Sequence, residues 1–273
     1  MTLRLAGPLL LVGAGKMGGA LLEGWLRQDL DPACIFVQDP APAPEVLRLA
    51  AQHSIAVGSA PELPEAPSVI VIAVKPDLVA KLLPELEPMI GEGTVVLSIA
   101  AGRTLKSLAQ PLPPGTAIVR AMPNTAAAVG HSMTVAIANA AVTSDQLREC
   151  TTLLEAVGEV IWLDDESLLD AVTAVSGSGP AYVFLLAECL AEAGREAGLE
   201  AELAQRLSRA TVAGAGELLR QSNLPAAKLR ENVTSPKGTT AAALEVLMGK
   251  GGFQDLLIRA VAAAAKRSRE LSS

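Results

Sequence analysis

An apolar run, Leu9-Leu10-Leu11-Val12, leads directly into Gly13-x-Gly15-x-x-Gly18 and then into a helical pattern. That order leaves few folds open. Gly13 permits a tight turn after a strand, Gly15 lets backbone approach a pyrophosphate, and Gly18 lets a helix pack closely on the strand. The helix start then offers free N–H groups and a positive dipole end to phosphate. The same run after Arg4 superficially resembles a secretory signal. It is too short, and no small-residue cleavage site follows, so the glycine pattern is the better account. A cofactor cradle over Val12, Gly13, Ala14, Gly15, Lys16, Met17 and Gly18 is the first expectation.

Asp39 stands 21 residues beyond Gly18, where a second strand should end. A carboxylate there accepts from the adenosine ribose 2′-OH and repels a 2′-phosphate. No Arg or Lys lies between Asp39 and Arg48, which leans toward NADH over NADPH. An ordinary Asp-Pro turn is the competing reading of the same residue.

The first 160 residues alternate short apolar runs with helical stretches. Strands are expected at 9–12, 35–38, 68–74, 94–99, 117–121 and 133–138, with helices at 17–28, 44–52, 77–89 and 104–109. The runs lack polar alternation, as in strands covered on both faces. A helix over 144–156, N-capped by Ser144, and a strand over 159–163 close this part. The fold class is therefore α/β: a Rossmann-type doubly wound sheet, followed by an all-α domain. From Asp164 onward five helices are expected and no strand. The domains read as 1–163, binding the dinucleotide, and 164–273, binding substrate and dimerising. Residues 181–193 are apolar around most of a helical circumference, so they should be buried against several neighbours, including a second subunit.

Composition removes other classes. Only 2% of residues are aromatic and the net charge is −7, so neither base stacking nor a phosphate-backbone partner is expected. Three scattered cysteines, Cys34, Cys150 and Cys189, and two histidines, His53 and His131, suggest no disulfide framework and no metal. No apolar run looks long enough to cross a membrane. The expectation is a reduced, cytoplasmic protein without nucleic-acid or membrane partners.

Three further loops sit at carboxyl ends of expected strands: Val74-Lys75-Pro76, Ile99-Ala100-Ala101-Gly102 and Arg120-Ala121-Met122-Pro123-Asn124-Thr125. Ligands of open α/β sheets lie outside those ends. In the helical half, Ser176-Gly177-Ser178-Gly179-Pro180 and Asn232-Val233-Thr234-Ser235-Pro236-Lys237-Gly238-Thr239-Thr240 are polar breaks before helices. Each is either a carboxylate receptor or an ordinary cap.

GAGKMG, AVKP, SIAAG, RAMPNT, SGSGPAY and VTSPKGTT, in that order, resemble the pyrroline-5-carboxylate reductase family from about Leu9 to Leu271. The resemblance implies NAD(P)H-dependent reduction of the C=N bond of 1-pyrroline-5-carboxylate to L-proline. It also implies a homodimer that often assembles into a decamer. By match, Val12–Met17 would cradle the pyrophosphate, and Ala73–Pro76 with Ile99–Ala101 would line the nicotinamide half. Asn232 would approach the cofactor. Ser235, Gly238 and Thr239 would cap the substrate carboxylate, with Ser178 nearby, and Thr240 would hydrogen-bond the ring nitrogen. Glu166 matches a residue that faces the ring. Lys75 is the second candidate for proton donor, although a ribose or phosphate role suits it better.

The chain departs from the family pattern at Lys237, where a glycine is common, and at Ala126, where a proline is common. Ser59-Ala60 and Asp39 also depart from it in the adenosine region. Two other readings share the architecture: a β-hydroxyacid or 6-phosphogluconate-type dehydrogenase, and a non-enzymatic NAD(H)-binding regulator. Residues 165–200 contain no lysine to serve the first, and no basic segment serves the second.

Overall fold

A computed structural model describes residues 4–272. The chain forms two compact units. The first takes the residues up to Gly177 together with those from Ala265 on, and the second is Ser178–Ala264. Compactness thus divides the chain at Gly177, while the change from mixed to helical structure falls after residue 163.

The first unit is built on an eight-stranded sheet in the order β3-β2-β1-β4-β5-β6-β7-β8. Its strands are β1 (Leu9–Val12), β2 (Ile35–Gln38), β3 (Ala56–Gly58), β4 (Val69–Ile72), β5 (Val95–Ser98), β6 (Ala117–Met122), β7 (Ser132–Ala138) and β8 (Gly158–Trp162). All pairings are parallel except β6 with β7. The one antiparallel step is reached without a crossover helix, because only the short loop at 123–131 joins those strands. β1 lies between β2 and β4, the point where strand order reverses and where doubly wound sheets bind ligands.

β1, β4 and β5 are fully buried, which explains their unbroken apolar sequence. One face packs on α1 (Lys16–Arg27) and α5 (Ser144–Glu155), the other on α3 (Pro76–Leu86) and α4 (Leu105–Ala109). Trp25 is wholly buried, and its indole N–H donates to the carbonyl of Leu153 at 2.9 Å, tying α1 to α5. α2 is Pro44–His53. The cap of α5 is Thr143, not Ser144: a capping box with Gln146 satisfies both N-terminal donors.

The second unit holds α7 (Gly179–Glu196), α8 (Ala201–Gln221), α9 (Ala226–Asn232), α10 (Thr239–Leu247) and most of α11 (Phe253–Ser272). α6 (Leu169–Val172) and a π turn over Thr173–Gly177 belong to the first unit. α7 packs on α8: the Ser208 hydroxyl hydrogen-bonds the carbonyl of Ala187, and Gly194 approaches Ala204. The expected burial of 181–193 is not met within the chain. Val183, Phe184, Leu185, Leu186 and Leu190 are all exposed, Phe184 by 68%. The expectation about membrane-spanning length also needs correction. The helical run Glu166–Glu196 is long and apolar enough to cross a membrane by length and composition. Its apolar circumference is the property both readings share.

Candidate active site

The carboxyl ends of β1, β2 and β4 surround a cleft of about 580 Å³, lined by Val12, Gly13, Gly15, Asp39, Ala73, Val74 and Lys75 among others. The sheet thereby brings three separately expected segments to one place. Gly13 has φ +93°, and a β-carbon on it would stand 2.7 Å from Val74, so the turn is closed to other residues. A β-carbon on Gly18 would meet the carbonyl oxygen of Gly13 at 2.1 Å. Gly15 is the N-cap of α1, and no atom lies within 4 Å of where its β-carbon would be. That open space beside a helix start suits a phosphate. Ala14 is fully buried, Met17 packs into the core and Lys16 borders a neighbouring cavity.

Asp39 follows β2. Its Oδ2 accepts from the Ala14 N–H at 2.6 Å and its Oδ1 from the Ala41 N–H at 2.8 Å. It therefore makes the turn expected of an Asp-Pro sequence and also faces the cleft. Lys75 is the N-cap residue of α3 and lines the cleft, followed by Pro76 at the first helical position.

Ile99, Ala100 and Ala101 continue from β5, the neighbour of β4 in the sheet. This loop is held at both ends. The Arg103 guanidinium donates twice to the carbonyl of Pro76, at 2.9 and 2.6 Å. Beyond it, the Leu105 N–H donates to Oε1 of Glu166 at 2.8 Å, and the same oxygen accepts from Arg120 at 2.7 Å. The Arg120 side chain is only 7% exposed. A guanidinium so enclosed requires a counter-charge, and Glu166 supplies it. Asp165, beside it, is held below the usual carboxylate range by the hydroxyl and N–H of Ser167.

The loop after β6 meets the π turn. The Asn124 side chain donates to the Ser176 hydroxyl at 3.2 Å, which donates on to the carbonyl of Met133. A β-carbon on Gly177 would collide with Met122 at 2.6 Å. Two expected motifs, RAMPNT and SGSGPAY, thus touch.

The remaining expected residues lie in the second unit. Ser178 caps α7, and Asn232 ends α9. Gly238 caps α10 without a side-chain hydrogen bond, and its N–H donates to the carbonyl of Ser235 at 3.0 Å. Thr239 and Thr240 form the first turn of α10, whose leading N–H groups have no carbonyl partner within the helix. Lys237 has φ +59°, so it occupies a left-handed position that glycine fills without strain. Among the described residues, no three His, Cys, Asp or Glu side chains gather as metal ligands.

Sequence reasoning did not single out the Arg120–Glu166 pair or the Arg103 clamp. A lone arginine within the otherwise apolar strand Ala117–Met122 was the available signal, since a buried charge implies a partner.

Residues 166–271 match the family described as pyrroline-5-carboxylate reductase dimerisation, and residues 9–102 match NADP oxidoreductase, coenzyme F420-dependent. The pyrroline-5-carboxylate reductase of Pseudomonas aeruginosa is 39% identical over 96% of this chain and 95% of its own. That of Synechocystis is 40% identical over 96% and 97%. The solved reductase of Coxiella burnetii superposes with a TM-score of 0.91 at 33% identity, covering 98% of this chain and 100% of its own. The Plasmodium falciparum reductase, solved with NADP bound, gives 0.83 at 30%, covering 98% and 99%. These likenesses favour neither the dehydrogenase nor the regulator reading. A dimerisation domain at 166–271 also accounts for the apolar exposure of α7 without a membrane. Sheet, cleft and relatives agree: the chain belongs to the pyrroline-5-carboxylate reductase family, NAD(P)-dependent oxidoreductases that make L-proline from 1-pyrroline-5-carboxylate in proline biosynthesis.

Proposed function

We propose that this reductase holds its dinucleotide in the β1–β2–β4 cleft and prefers NADH. The fit rests on three features: the vacant space at Gly15, the closed turn at Gly13 and the carboxylate of Asp39. When bound, the reduced nicotinamide supplies the hydride for the imine carbon. The protein supplies position and field. Asp39 carries the preference, because both its oxygens are anchored by main-chain N–H groups and retain lone pairs for a ribose hydroxyl. A 2′-phosphate would face that fixed negative charge. The NADP in the Plasmodium falciparum relative establishes the cofactor class for that protein; Asp39 argues for the unphosphorylated form here.

The start of α10 takes the substrate carboxylate, through Ser235, Gly238 and Thr239, with Ser178 assisting at the start of α7. The iminium form is selected on binding, and the Thr240 hydroxyl oxygen accepts the ring N–H. Lys75 serves the ribose or phosphate, with proton donation its second role. Functionally the domains divide at 163/164, and the enzyme works in the cytoplasm as a dimer or as a decamer built of five dimers.

The deciding experiment compares kcat/KM for NADH and NADPH with pyrroline-5-carboxylate, in the native protein and in Asp39→Ser. The native protein should favour NADH, and the substitution should move the ratio toward NADPH by about 10-fold or more, a loss of roughly 1.4 kcal/mol of discrimination. An unchanged ratio removes Asp39 from the cofactor site.

A further inference from the structure

We propose that Glu166 is a positioning residue: it braces the 99–104 loop through Arg120 and the Leu105 amide, and does not itself touch the substrate. One carboxylate oxygen takes both hydrogen bonds, at 2.7 and 2.8 Å. Each binds a different element. Arg120 belongs to β6 and lies beside Ser98 of β5 in the sheet. Leu105 opens α4, immediately after the loop that leaves β5. Glu166 itself begins the segment that follows β8. The carboxylate is therefore a three-way junction.

The loop it holds is short, and its other restraint is Arg103 on the Pro76 carbonyl. Releasing Glu166 frees the start of α4 from β6 and β8, while Ile99 stays bonded to the Ile72 carbonyl and Arg103 to the Pro76 carbonyl. Hydride transfer depends steeply on distance, so a loop displaced by about 1 Å costs rate rather than affinity. Arg120 explains why the brace is ionic. A neutral oxygen could accept from both donors and keep the geometry; the carboxylate adds a counter-charge for the enclosed guanidinium, which contributes stability.

This inference rests on the proposed binding of the dinucleotide in the cleft, with its nicotinamide half along Ile99–Ala101 as the family resemblance implies. Two variants test the brace. Glu166→Gln keeps an oxygen for both donors. The paired Arg120→Met/Glu166→Met removes the junction without stranding a buried charge, so it should fold. The paired variant should lower kcat about 100-fold, with KM for pyrroline-5-carboxylate changed less than about 3-fold. Its Leu105 amide, observed without cofactor, should exchange with deuterium about 10-fold faster or more. Glu166→Gln should lose no more than about 3-fold in kcat and keep the amide protected. If Glu166→Gln falls as far as the paired variant, the carboxylate acts on the substrate and the brace is wrong. It is equally wrong if the paired variant turns over normally. Ala101→Leu tests the placement separately. An unchanged KM for NADH and NADPH overturns the placement and the brace with it. A raised KM alongside a fully disabled Glu166→Gln overturns the brace alone.

Discussion

The main-chain N–H of Ala14 lies 2.6 Å from Oδ2 of Asp39, joining the glycine turn after β1 to the end of β2. The residue assigned to cofactor choice is thus also part of the scaffold. Asp39→Ser should lower unfolding stability by about 1–2 kcal/mol, the value of a charge-assisted hydrogen bond. Denaturant unfolding at fixed protomer concentration measures it. Stability unaltered by the substitution would show that the carboxylate does not hold the turn.

Gly15 and Gly18 should separate binding from folding. Gly15→Ala has open space and an ordinary helix-start geometry, so stability should stay within about 0.5 kcal/mol. Its KM for the cofactor should rise, because the new methyl occupies the space assigned to phosphate. Gly18→Ala drives a methyl into the Gly13 carbonyl and should cost about 2 kcal/mol or more. Melting curves and cofactor titrations of both proteins would expose any reversal of this order.

Lys237 offers a gain. Its φ of +59° carries the side-chain penalty of a left-handed residue, so Lys237→Gly should stabilise the protein by about 1 kcal/mol. The check is the denaturation midpoint with an unchanged slope. A fall in the midpoint would mean that lysine's contacts there outweigh the strain.

Thr240→Ala should lower kcat for the imine far more than it raises KM for NADH. Equal losses would place the threonine on the cofactor instead.

Cys150 is buried and its thiol is pushed up to about 12, by burial first and by the charge of Glu149 second. The folded state therefore keeps a proton that the unfolded state releases near 9.0. Stability from this group is complete below pH 9 and declines as pH rises toward 12, by up to about 1.4 kcal/mol per unit. Urea melts between pH 8 and 10.5, compared with Cys150→Ala, should show the native slope alone. A disulfide reagent at pH 8 should leave Cys150 untouched until the protein unfolds.

Much of this architecture is legible in the residues. β1 and β2 fall on the expected spans because short apolar runs, closed by Gly13 and by Gln38-Asp39, leave little freedom. β3 escaped, being three residues of Ala-Val-Gly on a sheet edge, too short for a periodic signal. α9 escaped because Pro225 and seven mixed residues read as a loop. Long-range pairings are silent in a linear reading. Nothing local couples Arg120 to Glu166, 46 positions away, or Asp170 to Ser268, whose hydroxyl donates to it. That last bond lies within the first unit, to which the C-terminal residues return. The apolar helix over 181–193 was legible as needing cover, and the shortage of partners within one chain already pointed to a second subunit, in line with the dimerisation family matched at 166–271.

The bare flank of α7 has a consequence for how such a protein is made. A newly released chain presents Phe184 and its apolar neighbours to the cell before any mate arrives, and during that interval self-sticking competes with correct pairing. Yield should therefore respond to synthesis rate: slow expression favours orderly encounter, and a burst favours inclusion bodies.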